Sequence, residues 1–513
     1  MNIIDNASWK GDMPAFREKA TAFFNGEVSK GDYKGYSGRF GTYAQKGGEV
    51  SMIRLRMTAG RMTAKKMTFI AKAIRDYKVD KIHFTTCQAV QLHNLKADAV
   101  CDIMDAALDV GIVTIGGGGD FPRNTMCSPL SGIEEEYFDV LPYAEAVAEF
   151  AIGYVNDKKM PRKLKICFSN SPKNVPHATF RDLGFVARED GKFDVYSAGG
   201  LGNNPKFGVK VAEAVCPSEI LYYVEAMHET FCTYGNYENR GKARTRYMQD
   251  ICGGPEKYKE AYLEKLAWAK ESGKDLTIDV QPVVYTKTGD GSAAEGARIT
   301  PQKVEGLYMV EWHPIGGCPD PEQFCRVADA IAAMDQVEVR IAPDETVYIV
   351  NLTGAEAMKM QELTAGCAET LFDTSVSCIG ATICQVGLRD SQGLLAECVA
   401  AVRAAGIADG ALPQIHISGC PSSCGTHQTG RIGFRGASKK ADGKAQSAFT
   451  LYVGGCDQQG AEVMGRELGT ILATDIPEFL VKLGQVVEAS GKDYESWYAA
   501  DPFAIEEVAG LYI

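Results

Sequence analysis

SMIRLRMTAG at residues 51–60 aligns without a gap with YMVEWHPIGG at 308–317, and HFTTCQAVQLHNL at 83–95 aligns with RIAPDETVYIVNL at 340–352. Both matches run at an offset of 257 residues, 51 to 308 and 83 to 340. Between these strand-like stretches each copy carries one amphipathic helix. Met67, Ile70, Ala71 and Ile74 follow the i, i+3, i+4, i+7 rule, and Phe324, Val327, Ala328 and Ile331 repeat it at the same offset. A second helical stretch follows in each, KADAVCDIMDAALDVG at 96–111 and TGAEAMKMQELTAG at 353–366. Each unit therefore reads as strand–helix–strand plus a helix, a βαβ pattern that builds a small α/β layer. Such a layer leaves a face to be covered, and two copies about a pseudo-twofold axis cover each other. The ungapped register argues against chance similarity of β-rich segments.

Weaker echoes follow each copy. LKICFSNSP at 164–172 resembles PQIHISGCP at 413–421, and FDVYSAGG at 193–200 resembles FTLYVGG at 449–455. Each half is thus a small α/β unit followed by a larger one. The copies differ chemically: Arg54 and Arg56 in the first stand where Glu311 and His313 stand in the second. One half keeps an anion-facing role while its twin becomes structural.

Bulk properties bound the function. A chain of 513 residues accommodates two to four domains with large cores. Its composition, 45% hydrophobic and 23% charged, is that of a globular protein. No apolar run reaches the roughly 20 residues that span a bilayer, and residues 1–30 contain no signal-peptide core, so the sequence reads as cytoplasmic. A net charge of −12 argues against a general nucleic-acid binder. Sixteen cysteines in a reducing compartment are buried thiols, metal ligands or catalytic groups rather than disulfides. Twelve are scattered singly and read as plain thiols.

The other four are paired. Cys378 and Cys384 are separated by five residues in SCIGATICQ, and Cys420 and Cys424 by three in ISGCPSSCGTH. Four thiolates from two short segments suit a 4Fe–4S cluster or tetrahedral zinc, and spacing alone leaves unconnected cysteines open as well. Neither pair has the two-residue spacing of zinc knuckles. The Gly- and Ser-rich loop after HIS offers backbone N–H groups that could bond cluster sulfurs.

The C-x5-C and C-x3-C pair, with Pro after the third cysteine and Gly after the fourth, resembles the siroheme-containing nitrite and sulfite reductase family. The resemblance extends from about residue 39 to 480 and includes the duplication. It implies a siroheme and a 4Fe–4S cluster held by Cys378, Cys384, Cys420 and Cys424, with Cys424 shared between a cluster iron and the siroheme iron. It implies four substrate-binding cations: Arg54 in SMIRLRM, Arg123 in GGGGDFPRN, and Lys163 and Lys165 in MPRKLKICF. Arg and Lys screen an oxyanion, donate hydrogen bonds and relay protons. The glycines before Arg123 would let the backbone approach a macrocycle, and the two lysines alternate onto one strand face. Lys-x-Lys at this place resembles the family's sulfite reductases, whereas Lys-x-Asn marks its plant-type nitrite reductases, so the resemblance favours six-electron reduction of sulfite to sulfide over reduction of nitrite to ammonia.

Siroheme carries eight carboxylates, and the resemblance implies contacts from Arg56, Thr85, Thr86, Gln88, Gln91, Asn124, Lys242, Arg244 and Arg246. The family usually has arginines where this chain has His83 and Cys87. A protonated His83, or Arg244 and Arg246, would have to compensate. GGLG at 199–202 and His427 are weaker candidates for contact with the centre, and residues 242–246 also read as a solvated helix face. The expected fold is α/β (α+β), a pseudo-twofold duplicated nitrite/sulfite reductase architecture with two ferredoxin-like half-domains plus two siroheme/4Fe–4S α/β domains. Its divisions fall at 1–125, 126–275 (anion-binding lysines), 276–365 and 366–513 (cluster cysteines). No G-x-G-x-x-G fingerprint opens a βαβ unit and no C-x2-C-x2-C-x3-C run occurs. Electrons must then come from a ferredoxin or a separate reductase subunit, with no nucleic acid or membrane involved. Two rival readings are a zinc-stabilised interaction module and a siroheme-binding relative without catalysis.

Overall fold

The computed structural model describes residues 6–513; residues 1–5, the start of the segment read for a signal peptide, lie outside it. Its four sheets fall into two matched pairs. In the first sheet the strands run in the order Thr42–Ala44, Ser51–Arg56, Ala89–Leu95, Ile82–Phe84, and every neighbour is antiparallel. The second copy repeats it with Ile299–Pro301, Tyr308–Trp312, Val347–Leu352 and Glu338–Ile341. Helices Ala64–Tyr77 and Pro321–Ala332 occupy equivalent connections.

This corrects the strand–helix–strand reading in one respect. HFTTCQAVQLHNL is not one strand but a hairpin, Ile82–Phe84 turning into Ala89–Leu95, and the returning strand inserts between Ser51–Arg56 and Ile82–Phe84. The unit is βαββα and antiparallel. The turn is closed by Thr85, whose Oγ1 accepts from the N–H groups of Ala89 (3.2 Å) and Cys87 (3.4 Å), with Gln88 at φ +55°. Thr, Cys and Gln carry no turn signature, so nothing in the sequence interrupts the strand pattern there. Glu345, the equivalent of Gln88 in the second copy, also has positive φ.

The apolar stripes identified above pack the two copies onto each other. Met67, Ile70, Ala71 and Ile74 are buried, as are Phe324, Val327, Ala328 and Ile331, and all belong to one core spanning both copies. Arg75 and Asp329 pair across the two helices at 2.5 Å. The halves are also laced by a strand. Arg61–Thr63, from the first copy, pairs antiparallel with Glu338–Ile341 of the second. Arg61 grips Glu338 with two parallel bonds of 2.9 and 2.6 Å, and the Tyr285 hydroxyl donates to the same carboxylate at 2.8 Å.

The larger pair of sheets repeats at 249 residues, from Ile166–Ser169 to Ile415–Ser418 and from Leu183–Ala187 to the strand beginning at Ile432. Each has a short strand, Met126–Cys127 or Val376–Ser377, parallel to the next two, followed by two antiparallel strands. The likeness reaches single dihedrals. Asn174 and Ser423 share positive φ (51° and 54°), and so do His177 and Thr426 (63° and 54°). A Cβ on Gly184 would lie 1.8 Å from the Ala178 carbonyl oxygen, and one on Gly433 would lie 1.9 Å from that of His427. Each loop crosses its strand at a point where only glycine fits. Among the described residues no helix is long and apolar enough to cross a membrane.

Candidate active site

The four paired cysteines come together at the ends of two parallel strands. Cys378 follows Val376–Ser377, and Cys420 and Cys424 follow Ile415–Ser418. Gly419 clasps the two loops: its carbonyl accepts from the N–H groups of Leu388 (3.1 Å) and Arg389 (2.9 Å), and its own N–H donates to Cys378 Sγ at 3.2 Å. Gly425 is required because a Cβ there would lie 2.2 Å from the Ile417 oxygen. The first half makes the same turn with Ser171 and Val175 where the second has Cys420 and Cys424.

All four thiols are free. Burial, then the nearby Cys424, raises Cys378 to about 12. Burial also raises Cys424; Lys163 and Lys165 oppose this, while Cys420 and Cys384 add to it. Thiols that resist ionisation at such a point ionise only against metal charge. Among the described residues no three His, Cys, Asp or Glu side chains converge tightly enough for a single ion. Cys424 interacts electrostatically with Cys378, Cys384 and Cys420, so the four thiols share one neighbourhood. As a residue Cys424 stays solvent-accessible while Ser423 and Gly425 on either side are buried, yet its sulfur is surrounded by protein and faces Lys163 and Lys165 of the first half. The Thr86 hydroxyl donates to the Cys424 carbonyl at 2.8 Å, joining the halves there.

Facing Cys424 is a crowd of cations. Lys163 and Lys165 lie on the extended approach to Ile166–Ser169, both within electrostatic reach of its sulfur. Burial, then Arg244, Arg123 and Lys165, push Lys163 well below its ordinary value. Arg123 donates to the carbonyls of Gly117 (2.7 Å) and Gly119 (3.0 Å), and burial followed by Arg54 lowers it to about 10. Arg54 also donates to the Gly117 carbonyl. Cations that depress one another in this way mark unmet positive potential, which an anion relieves. Buried polar atoms without partners border the region: Arg123 Nε, Asn124 Oδ1, Arg244 Nε and Ser423 Oγ.

Other candidates frame the site rather than face it. Arg56 is buried and donates to the carbonyls of Ile115 (3.0 Å), Pro122 (3.1 Å) and Arg123 (2.9 Å), tying down the segment that presents Arg123. Burial, then Arg123, lowers it to about 9. Both N–H groups of the Gln88 amide are spent on the Cys127 and Ile341 carbonyls, at 2.7 Å each. Asn124 donates to the carbonyls of Met57, Cys87 and Gln88, and Thr85 closes its turn. The glycines before Arg123 are called for by packing within the chain itself. A Cβ on Gly116 would lie 2.8 Å from Arg56 Nη1, and one on Gly118 would lie 2.5 Å from the Gly38 oxygen.

The basic run at 242–246 forms two short 3-10 turns and not a helix face. Lys242 is exposed and lines a surface cleft with Asn204 and Tyr247. Arg244 pairs with buried Asp182 at 2.9 Å, and Arg246 donates to the Asn203 and Asn204 carbonyls. His83 lies 3.2 Å from Glu345. His427 is fully buried, and burial, then Arg435 and His416, lower it to about 3, so it belongs to the core. Gly202 of the GGLG turn exchanges two bonds with the Gln428 amide (2.8 and 3.0 Å), docking the first half on the cluster loop. In the second copy Glu311 and His313 stand at the places of Arg54 and Arg56, and His313 Nδ1 bonds the Thr346 hydroxyl at 2.8 Å.

Two groups carried no sequence signal. Asp182 accepts from the Lys165 N–H at 2.7 Å as well as from Arg244, fixing the lysine segment. Arg181 adds a further cation beside Cys87.

The nitrite/sulfite reductase ferredoxin-like half domain matches residues 43–110, and the nitrite and sulphite reductase 4Fe-4S domain matches residues 118–270. The chain is 26% identical over 457 residues to the ferredoxin–nitrite reductase of Synechococcus elongatus, covering 84% of this chain and 85% of that one. It is 24% identical over 424 residues to sulfite reductase [ferredoxin] 1 of Mycolicibacterium paratuberculosis, covering 79% and 73%. Its fold matches the Mycobacterium tuberculosis NirA protein with a TM-score of 0.74 over 89% of this chain and 87% of that one, at 22% identity. A duplicated α/β fold with four neighbouring thiols opposite a crowd of cations thus goes with a likeness, over residues 43–110 and 118–270, to the nitrite and sulfite reductase family. Those relatives are named as nitrite and sulfite reductases, and the second of the two family models is that of a 4Fe-4S domain.

Proposed function

We propose that this chain reduces sulfite to sulfide by six electrons, with Arg54, Arg123, Lys163 and Lys165 holding the anion. The observation that carries this is the position of both lysines within electrostatic reach of Cys424. Cys378, Cys384, Cys420 and Cys424 would hold the cluster, and Cys424 would be shared with the siroheme. When bound, these groups supply the electrons to the substrate atom. The chain's own residues do the rest. The cations bind and orient the oxyanion, and Lys163 and Lys165 present N–H groups from which protons pass as oxygen leaves as water. Thr86 holds the Cys424 loop in place, and Arg56, Gln88 and Asn124 hold the frame. The four units 1–125, 126–275, 276–365 and 366–513 are the working division of the chain.

Electrons would come from a ferredoxin or a separate reductase subunit. The surface over Cys384 supports a protein donor: Val386 and Leu388 are 57% and 55% exposed beside Arg389, and the Lys46 N–H bonds the Ile383 carbonyl at 3.0 Å. Nitrite is the second reading, favoured by the name of the Synechococcus elongatus relative. Steady-state kinetics on both anions decides between them. A kcat/KM for sulfite about tenfold or more above that for nitrite, about 1.4 kcal/mol in transition-state terms, is expected. Lys165→Asn should move the ratio toward nitrite. An unchanged ratio would remove Lys165 from specificity, and a wild-type preference for nitrite would replace the first reading by the second.

A further inference from the structure

Arg54 does not stand alone. Its guanidinium meets the Gln91 side chain on the neighbouring strand, where an arginine can face only an acceptor. With the amide turned to satisfy this, Gln91 Oε1 accepts from Arg54 Nε at 3.1 Å and Nη2 at 2.6 Å. The other terminal atom of that amide lies 3.3 Å from His83 Nδ1 and is therefore its NH2 group. His83 Nδ1 must then be an acceptor, which puts the ring proton on Nε2, 3.2 Å from Glu345 Oε1. Glu345 Oε2 in turn accepts from the Ser377 N–H at 3.2 Å, one residue before Cys378. Every donor in this chain meets an acceptor, from the anion-facing arginine of one half to the cluster-bearing strand of the other.

His83 and Glu345 are both buried. The groups that face His83 are Gln91 and Glu345 in contact, with His93, Arg54 and Lys81 around them. The His93 ring centroid is 6.5 Å away, and its two nitrogens have no partner. Burial, then His83, Lys81 and Arg54, hold His93 well below its ordinary value, so it stays neutral. Glu345 is thus the carboxylate that meets the ring.

We propose that His83 is a positioning residue for substrate binding: anchored by Glu345, its Nδ1 fixes the Gln91 amide and thereby the Arg54 guanidinium. This rests on the reading of Arg54 as an anion ligand. An arginine at position 83 could pair with Glu345 but could accept nothing from Gln91, so the histidine changes what the position does.

The test compares His83→Asn and His83→Gln in the holoenzyme, with Arg54→Ala as reference. Asn places an oxygen near the Nδ1 position and can still accept from Gln91. Gln keeps an N–H for Glu345, so the buried carboxylate retains a partner, but it has no acceptor at Nδ1. The expected result is a KM for the substrate anion about fivefold higher in His83→Gln with kcat within about twofold, the size of one hydrogen bond's net contribution. The dissociation constant for sulfite, read from the visible spectrum of the resting enzyme, should rise in parallel. His83→Asn should stay within about twofold of wild type in both. Equal effects in the two variants, no effect in either, or loss of folded protein in both would overturn the positioning role. An unchanged KM in Arg54→Ala would instead overturn the anion-site reading on which it rests.

Discussion

Cys87 stands where the family usually has an arginine, and its surroundings make it an anion among cations. Burial raises its pKa, but Lys165, Arg181 and Lys163 outweigh burial and bring it down to about 6. The folded-state value lies below that of an unfolded thiol, so the interaction stabilises the fold fully only above the unfolded value and is lost as pH falls through about 6. In protein freed of its cofactors, iodoacetamide alkylation of Cys87, followed by peptide mass, should therefore rise with a midpoint near pH 6. A midpoint near 9 would show that the lysines do not reach the sulfur. The thiolate also neutralises part of the charge that Lys165 would offer a substrate, which an arginine would not do. At this scale the sequence was legible where spacing carried the signal, as with the four cysteines and the alternating lysines. It was not legible for Arg56 or Gln88, because their partners are carbonyls from segments up to 253 residues away.

The elements that present these residues are held by crossings with no room to spare. The loop carrying Cys420 and Cys424 passes over Gly433, and its twin passes over Gly184, each within 2 Å of where a Cβ would be. Gly433→Ala should lower stability by about 3 kcal/mol or more, since backbone must move. Gly443→Ala, at the tip of the hairpin between the last long strands, meets nothing within 4 Å and should cost about 1 kcal/mol for its positive φ. Urea midpoints of the two variants measure the contrast; equal midpoints would mean that the crossing is slack. Helix positions and core faces were readable because period 3.6 survives in Met67, Ile70 and Ala71. The hairpin at 85–88 was not, since its turn is closed by a side-chain hydroxyl rather than by Gly or Pro. The strand Arg61–Thr63 was invisible for another reason: its partner belongs to the other copy, and three residues carry no period.

For the whole molecule, the duplication divides the labour. The first half contains Arg54, Arg123, Lys163 and Lys165, the proposed anion ligands, and the second contains all four paired cysteines. The repeat leads one to expect the centre between the halves, but it does not say how they are fastened. Arg61 on Glu338, Thr86 on Cys424 and Gln428 on Gly202 do that, each bridging more than two hundred residues. The central claim is that the four thiols hold a cluster next to a siroheme. Its most direct test is the visible spectrum of anaerobically purified protein, taken with iron and acid-labile sulfide counts. A tetrapyrrole band with about four irons and four sulfides beyond the tetrapyrrole iron is the predicted result. A featureless spectrum, or zinc in place of iron, would contradict it.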